Sequence, residues 1–84
     1  MFTGIIEDIG EIKDIKKQSG KWEFSIKTVK LIKDIKEGDS ISVDGVCLTA
    51  TQIKENTFSA DASYETLKVT TLGQKNIGDK VNLE

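Results

Sequence analysis

Apolar and polar residues alternate along much of this chain with a period of two, in short runs broken by glycine, asparagine and Lys/Glu-rich punctuation. A period of two puts one set of side chains on each face of a strand, and the abundance of isoleucine, valine and threonine suits strands better than helices. The pattern is cleanest from Trp22 to Thr28, where Trp22, Phe24 and Ile26 share one face and Glu23, Ser25 and Lys27 the other. Carried along the chain, it predicts strands over about Phe2–Ile15, Trp22–Thr28, Ser40–Val43, Val46–Ile53, Thr57–Asp61 and Lys80–Leu83.

The punctuation is specific. Gly10 falls inside the long first strand, where a bulge or sharp bend would turn a barrel corner, and Gln18-Ser19-Gly20 makes the turn after it. Asp44-Gly45 is a two-residue hairpin signal. Between Val29 and Ile35 the apolar residues fall at 31, 32 and 35, which suits a short helical turn, and Ser63 can cap a short helix with Glu65 in its first turn. Six short strands in an open sheet would leave exposed edges, and closing them removes that liability. The expected fold is all-β, a six-stranded antiparallel closed barrel with one or two short helices. Gly38-Asp39-Ser40-Ile41-Ser42-Val43 is echoed 40 residues on by Gly78-Asp79-Lys80-Val81-Asn82-Leu83, each after a short helix candidate, which implies two similar halves closing on each other.

Composition narrows the function. At 84 residues the chain is one small domain with a thin core. One cysteine and no histidine exclude a disulfide framework and the Cys/His spacing of a zinc site. Twelve basic residues oppose 14 acidic ones with the signs interspersed, so no polyanion partner is implied. A pI near 5.1, few aromatics and no basic groove argue against an oligonucleotide-binding barrel. No signal peptide or run of roughly 18 apolar residues is visible, so no membrane partner is expected and the cytoplasm is the default address.

Two segments are more specific than pattern. The opening Met1-Phe2-Thr3-Gly4-Ile5-Ile6-Glu7 closely resembles that of riboflavin synthase. Gly38-Asp39-Ser40-Ile41-Ser42-Val43-Asp44-Gly45-Val46-Cys47-Leu48-Thr49 is similar to that family's Gly-x-Ser, Asn-Gly-x-Cys-Leu-Thr region, with Asp44 where the family usually has asparagine. Glu65-Thr66-Leu67 and Gly78 to Glu84 follow in the expected order. The resemblance implies a Greek-key barrel repeated twice in the full enzyme, so that residues 1–84 are a single lumazine-binding barrel, the amino-terminal half of a two-barrel protein. It also implies a homotrimer for the full-length enzyme, with each site between a first barrel and a neighbour's second barrel.

The implied reaction takes two molecules of 6,7-dimethyl-8-ribityllumazine to riboflavin and 5-amino-6-ribitylaminouracil, with no metal or redox cofactor required. Alone, the barrel is expected to bind riboflavin or the lumazine with little or no turnover, as a homodimer in which a second copy stands in for the missing barrel. Carried over by the resemblance, the ligand-binding residues are Gly4, Ile5, Ile6, Ser40, Cys47, Leu48, Thr49 and Asp61 to Thr66, that is Asp61, Ala62, Ser63, Tyr64, Glu65 and Thr66. Phe2 belongs near them. A pteridinedione edge alternates N–H donors with C=O acceptors, which strand backbone and the Thr49 or Thr66 hydroxyls can match, while Ile6 and Leu48 would cover the ring faces.

Most of these residues also have an ordinary reading. Cys47 is the one obvious reactive group and the candidate catalytic residue, but no histidine exists to activate it; on general grounds a small apolar residue packed in a barrel is the commoner reading, and the resemblance implies pocket-lining rather than catalysis. Thr49 and Ser40 are also ordinary strand residues, and Asp61 and Glu65 sit naturally at a strand end and in a helix first turn. Trp22 is in phase with Phe24 and Ile26 and reads as a core or dimer contact. The competing function is a non-enzymatic, antenna-type lumazine- or flavin-binding protein like the lumazine proteins, which share this barrel.

Overall fold

The structure is a computed structural model that describes residues 8–84. The element order is β1 (Asp8–Gln18), β2 (Lys21–Lys27), a 3-10 turn (Leu31–Lys33), β3 (Ser40–Val43), β4 (Val46–Lys54), β5 (Thr57–Ser63), α1 (Tyr64–Val69), a second 3-10 turn (Thr71–Gln74) and β6 (Lys80–Leu83). The strands form the closed ring β1-β2-β5-β4-β3-β6, and each neighbouring pair is antiparallel. The expected closed all-β barrel is the observed one. No described helix is long and apolar enough to cross a membrane.

Among the described strand ends, two differ from expectation by two residues or more and three by a single residue. β1 runs through Gln18, leaving Ser19 and Gly20 to make the turn, because Gln18 still pairs with Lys21. β5 runs two residues past Asp61 to Ser63, because β2 supplies Trp22 and Lys21 as partners for Ala62 and Ser63. The expected start of β1 at Phe2 lies outside the described residues.

Bulges explain where the period of two fails. The β1–β2 register shifts between Ile12 and Asp14, and the β4–β5 register between Ala50 and Gln52, so Lys13 and Thr51 are the extra residues. Each insertion moves the next apolar residue to a spacing of three, which returns Ile15 to the face of Ile12 and Ile53 to that of Ala50. The bulge in β1 is therefore at Lys13 rather than Gly10. Gly10 has a different cause: a Cβ there would lie 2.6 Å from Ile26 Cγ2 and 2.9 Å from Leu83 Cδ1.

The inward faces meet in one core. Phe24, Phe58, Ile12, Ile26, Val43 and Leu83 are fully buried, and Leu67 and Leu72 from the α1 region join them. Trp22 packs half-buried against this core.

The 40-residue echo is a repeat of structure. Gly38 N–H donates to Ala50 C=O and Gly78 N–H to Ile12 C=O, both at 2.8 Å, with φ of +93° and +96°. Asp39 Oδ2 accepts from Lys36 N–H at 2.9 Å and Asp79 Oδ2 from Asn76 N–H at 2.8 Å. Ala50 N–H donates to Asp39 C=O and Ile12 N–H to Asp79 C=O, at 2.8 and 2.9 Å. Each turn thus docks on the residue just before a bulge, and the barrel is two matching halves, β1-β2-β3 and β4-β5-β6.

Gly10→Val should therefore destabilise the barrel by about 1–3 kcal/mol, the usual cost of overpacking. Urea denaturation measures it, and wild-type stability would show that Ile26 and Leu83 yield freely.

Candidate functional site

Besides α1, which belongs to the second half alone among the described residues, the halves differ in the interval beyond each bulge. In the first, the β1–β2 ladder continues past the Ile12↔Ile26 pair to Glu11↔Lys27. Beyond it the Asp8 carboxylate accepts from the Thr28 hydroxyl and from Val29 and Lys30 N–H. In the second half the corresponding pair is Ala50↔Ala60, and among the described residues the ladder ends there, although β4 extends back to Val46 and β5 on to Ser63. Thr49 and Asp61, the counterparts of Glu11 and Lys27, are left unladdered.

Alternation of the backbone fixes what faces this interval. Ala50 directs both its N–H and C=O toward Asp39 and Gly38, on the β3 side, so one residue along, Thr49 and then Cys47 direct theirs toward β5. Tyr64 N–H donates to Gly20 C=O and Thr28 N–H to Asn56 C=O, so the even residues of β5 face β2. The odd ones, Asp61 and Ser63, face β4. Cys47, Thr49 and Asp61 each offer a donor and an acceptor, and Ser63 a donor, since its carbonyl begins α1.

The side chains sort by parity. Cys47, Thr49 and Ser63 are exposed, Asp61 is half-buried, and Ser40 stands exposed beside Thr49 as its cross-strand partner. Leu48 and Ala62 point inward and are 5% and 1% exposed. The expectation that Leu48 covers a ring face is thereby corrected: it is a core residue, and its backbone faces β3. Ser63 Oγ accepts from Thr66 N–H at 3.2 Å and donates to Thr66 Oγ1 at 3.0 Å, leaving the Thr66 hydroxyl proton as a donor. Tyr64 and Glu65 are exposed on α1, and the Tyr64 ring lies under Lys68 Nζ. Gly4, Ile5, Ile6 and Phe2 lie outside the described residues.

Asp61 was expected at the site, but its partner Lys21 was not. Lys21 Nζ sits 3.0 Å from Asp61 Oδ2, while Asp61 Oδ1 is shielded from solvent and has no hydrogen-bond partner among the described residues. Lys21 stands at the start of β2, diagonally across the ladder from Asp61, and only the register, invisible in a single sequence, brings them together.

Cys47 is a free, exposed thiol, and no hydrogen bond or ion pair engages it among the described residues. No group of three or more potential metal ligands occurs among them either. Two open grooves of about 330 and 490 Å³ lie elsewhere, one around Asp14, Glu23 and Lys54 and one around Asp44, Lys75 and Lys80, and neither is lined by a residue predicted from sequence. The candidate site is instead the interval between β4 and β5, whose backbone groups, unpaired across it among the described residues, are its chemistry.

A model of the lumazine binding domain matches residues 3–84. Over its whole length the chain is 46% identical to riboflavin synthase of Bacillus subtilis (strain 168), 48% identical to that of Actinobacillus pleuropneumoniae and 40% identical to that of Schizosaccharomyces pombe. It spans 39%, 39% and 41% of those proteins. Crystal structures of LumP complexed with 6,7-dimethyl-8-(1'-D-ribityl) lumazine and with riboflavin superpose with TM-scores of 0.93 at 30% identity. They cover all of this chain, which covers 48% and 46% of theirs.

In the free protein, the amides of Cys47, Thr49, Asp61 and Ser63 should exchange about tenfold or more faster than those of Leu48 and Ala62. Hydrogen exchange followed by NMR reads this directly. Equal protection along both strands would mean that the ladder continues past Ala50.

Proposed function

The chain belongs to the lumazine-binding domain family, and we propose that it is the amino-terminal barrel of a riboflavin synthase. In this reading it holds 6,7-dimethyl-8-ribityllumazine or riboflavin against the interval between β4 and β5. The observation that carries the proposal is the alternation of donors and acceptors at Cys47, Thr49, Asp61 and Ser63, which complements a pteridinedione edge. The Thr49 and Thr66 hydroxyls and Ser40 flank that edge, and the inward Leu48 and Ala62 hold the two strands to the core beneath it.

The whole enzyme would use such a site to bring two ribityllumazines together for dismutation to riboflavin and 5-amino-6-ribitylaminouracil. Fixing two flat reactants in one geometry removes several kcal/mol of the barrier. This chain's part is to bind and orient one ring. Cys47 is exposed and the chain contains no histidine to act as its base, so its role is to line the site. The second ring and the proton transfers fall to a second barrel, within a homotrimer of the full-length protein. Identity of 46–48% to two riboflavin synthases, against 30% to LumP, favours this reading over a non-enzymatic binding protein. A soluble cytoplasmic enzyme is the setting we propose.

Titration with riboflavin should give a saturable change in flavin fluorescence and quench Trp22, the single tryptophan. Sedimentation should show a homodimer. Unchanged fluorescence at high protein concentration would overturn the binding, and a strict monomer the dimer. With 6,7-dimethyl-8-ribityllumazine the isolated chain should form little or no riboflavin, and turnover near that of a two-barrel enzyme would show that this barrel suffices.

A further inference from the structure

Lys21 is a residue that neither the motifs nor the proposed reaction employs. Its ammonium lies 3.0 Å from Asp61 Oδ2, and both side chains are partly open to solvent, 50% and 30% exposed. Exposed pairs of this kind contribute little to folding, so stability does not account for it. The other oxygen is the unusual one. Asp61 Oδ1 is sealed from water and accepts no hydrogen bond among the described residues, and a shielded carboxylate oxygen without a donor is costly enough to be rare. Asp61 stands on β5 where the β4–β5 ladder has opened, as the counterpart of Lys27, whose position in the first half is closed by pairing with Glu11. The neighbouring acid on β2, Glu23, has its own cation in Lys16 at 3.8 Å, so Lys21 serves Asp61 alone.

We propose that Lys21 is a positioning residue for ligand selection. By holding Oδ2 it fixes the rotamer of Asp61 and balances its charge, so that Oδ1 is presented as an acceptor to an O–H or N–H of the bound ligand. This rests on the reading that the ligand lies between β4 and β5. Ionised and pinned, Asp61 can only accept. The site therefore takes ligands that offer a donor at this point and rejects those that offer a second acceptor or an anion. Lys21 acts through Asp61 and need not touch the ligand.

The test is riboflavin affinity, read by fluorescence titration of wild type, Lys21→Met, Lys21→Arg, Asp61→Ala and the double variant Lys21→Met/Asp61→Ala, with thermal unfolding of each. Lys21→Met should weaken binding about tenfold, the scale of one charge-assisted hydrogen bond, while the melting temperature stays at the wild-type value. Lys21→Arg should restore most of the affinity. In the Asp61→Ala background, Lys21→Met should have no further effect. Raising salt should weaken wild-type binding of this neutral ligand and leave Lys21→Met unchanged, because salt screens an exposed pair. Wild-type affinity in Lys21→Met, or an equal loss with and without Asp61, overturns the positioning role. If Asp61→Ala binds normally, or wild type fails to bind riboflavin, the site itself is misplaced, a failure distinct from that of Lys21.

Discussion

The barrel depends on β6, a strand of four residues that closes the ring between β1 and β3. It makes four register pairs with β1 but one with β3, extended by the Ser42–Glu84 exchange and by Asp44 N–H donating to Asn82 C=O. Charged groups stand along it. Asp44 Oδ1 accepts from Asn82 N–H at 2.6 Å, Lys75 lies 3.2 Å from the same carboxylate, and Lys80 pairs with Glu11. The hydrogen bond from Lys80 and the charge of Lys13 beside it hold the Glu11 carboxyl below its ordinary range, so this tie is present near neutral pH and is lost on acidification. Magnitudes decide what holds β6. The Lys80–Glu11 pair is open to solvent and adds little, and Asp44–Lys75 is a single partly covered pair, whereas burying Val81 and Leu83 is worth about 1.5–3 kcal/mol each. A slip of one residue would turn both outward. Burial both closes the ring and fixes its register, and the polar contacts reinforce that register.

Closure also explains why the site lies where it does. The two Gly-Asp turns bind Ile12 and Ala50 identically, and the bulges at Lys13 and Thr51 follow at the same step. A barrel of two equal halves begins with two equivalent intervals, one beyond each bulge. In the first, Glu11 and Lys27 pair and Asp8 occupies the amides of Val29 and Lys30. In the second, the position corresponding to Asp8 is Val46, which has no carboxylate to give, and among the described residues the ladder stays open. This departure from symmetry is what leaves backbone groups available to the proposed ligand.

Much of this was legible in the chain. Alternation located all six strands, Asp44-Gly45 marked a hairpin whose residues have φ of +51° and +83°, and Ser63 caps α1 as its place before Glu65 suggests. Period alone could not place the bulges, because a spacing of three between Ile12 and Ile15 looks like noise until the partner strand shows both facing inward. The site was legible only as a set of residues. Resemblance named Cys47, Leu48 and Thr49 together, but parity, which depends on register, turns Leu48 into the core and its neighbours outward. Lys21 and Asp61 are 40 residues apart, and no local pattern joins them.

A packed six-stranded barrel also constrains what one copy can do. Phe24 and Phe58 are fully buried and fill the interior with Ile12 and Ile26, leaving no lumen for a ring system as a wider barrel would. In the proposed reading a pteridine therefore lies on the outside, its edge read by backbone groups between β4 and β5. A surface touches only one face of a flat ring. The other face stays in water unless a second body covers it, and burial of that face is where much of the affinity for an aromatic ligand resides. A second barrel carrying its own ring would supply both the missing cover and the face-to-face pair that the proposed dismutation requires. On this view a one-sided site is what the chemistry asks of a single barrel.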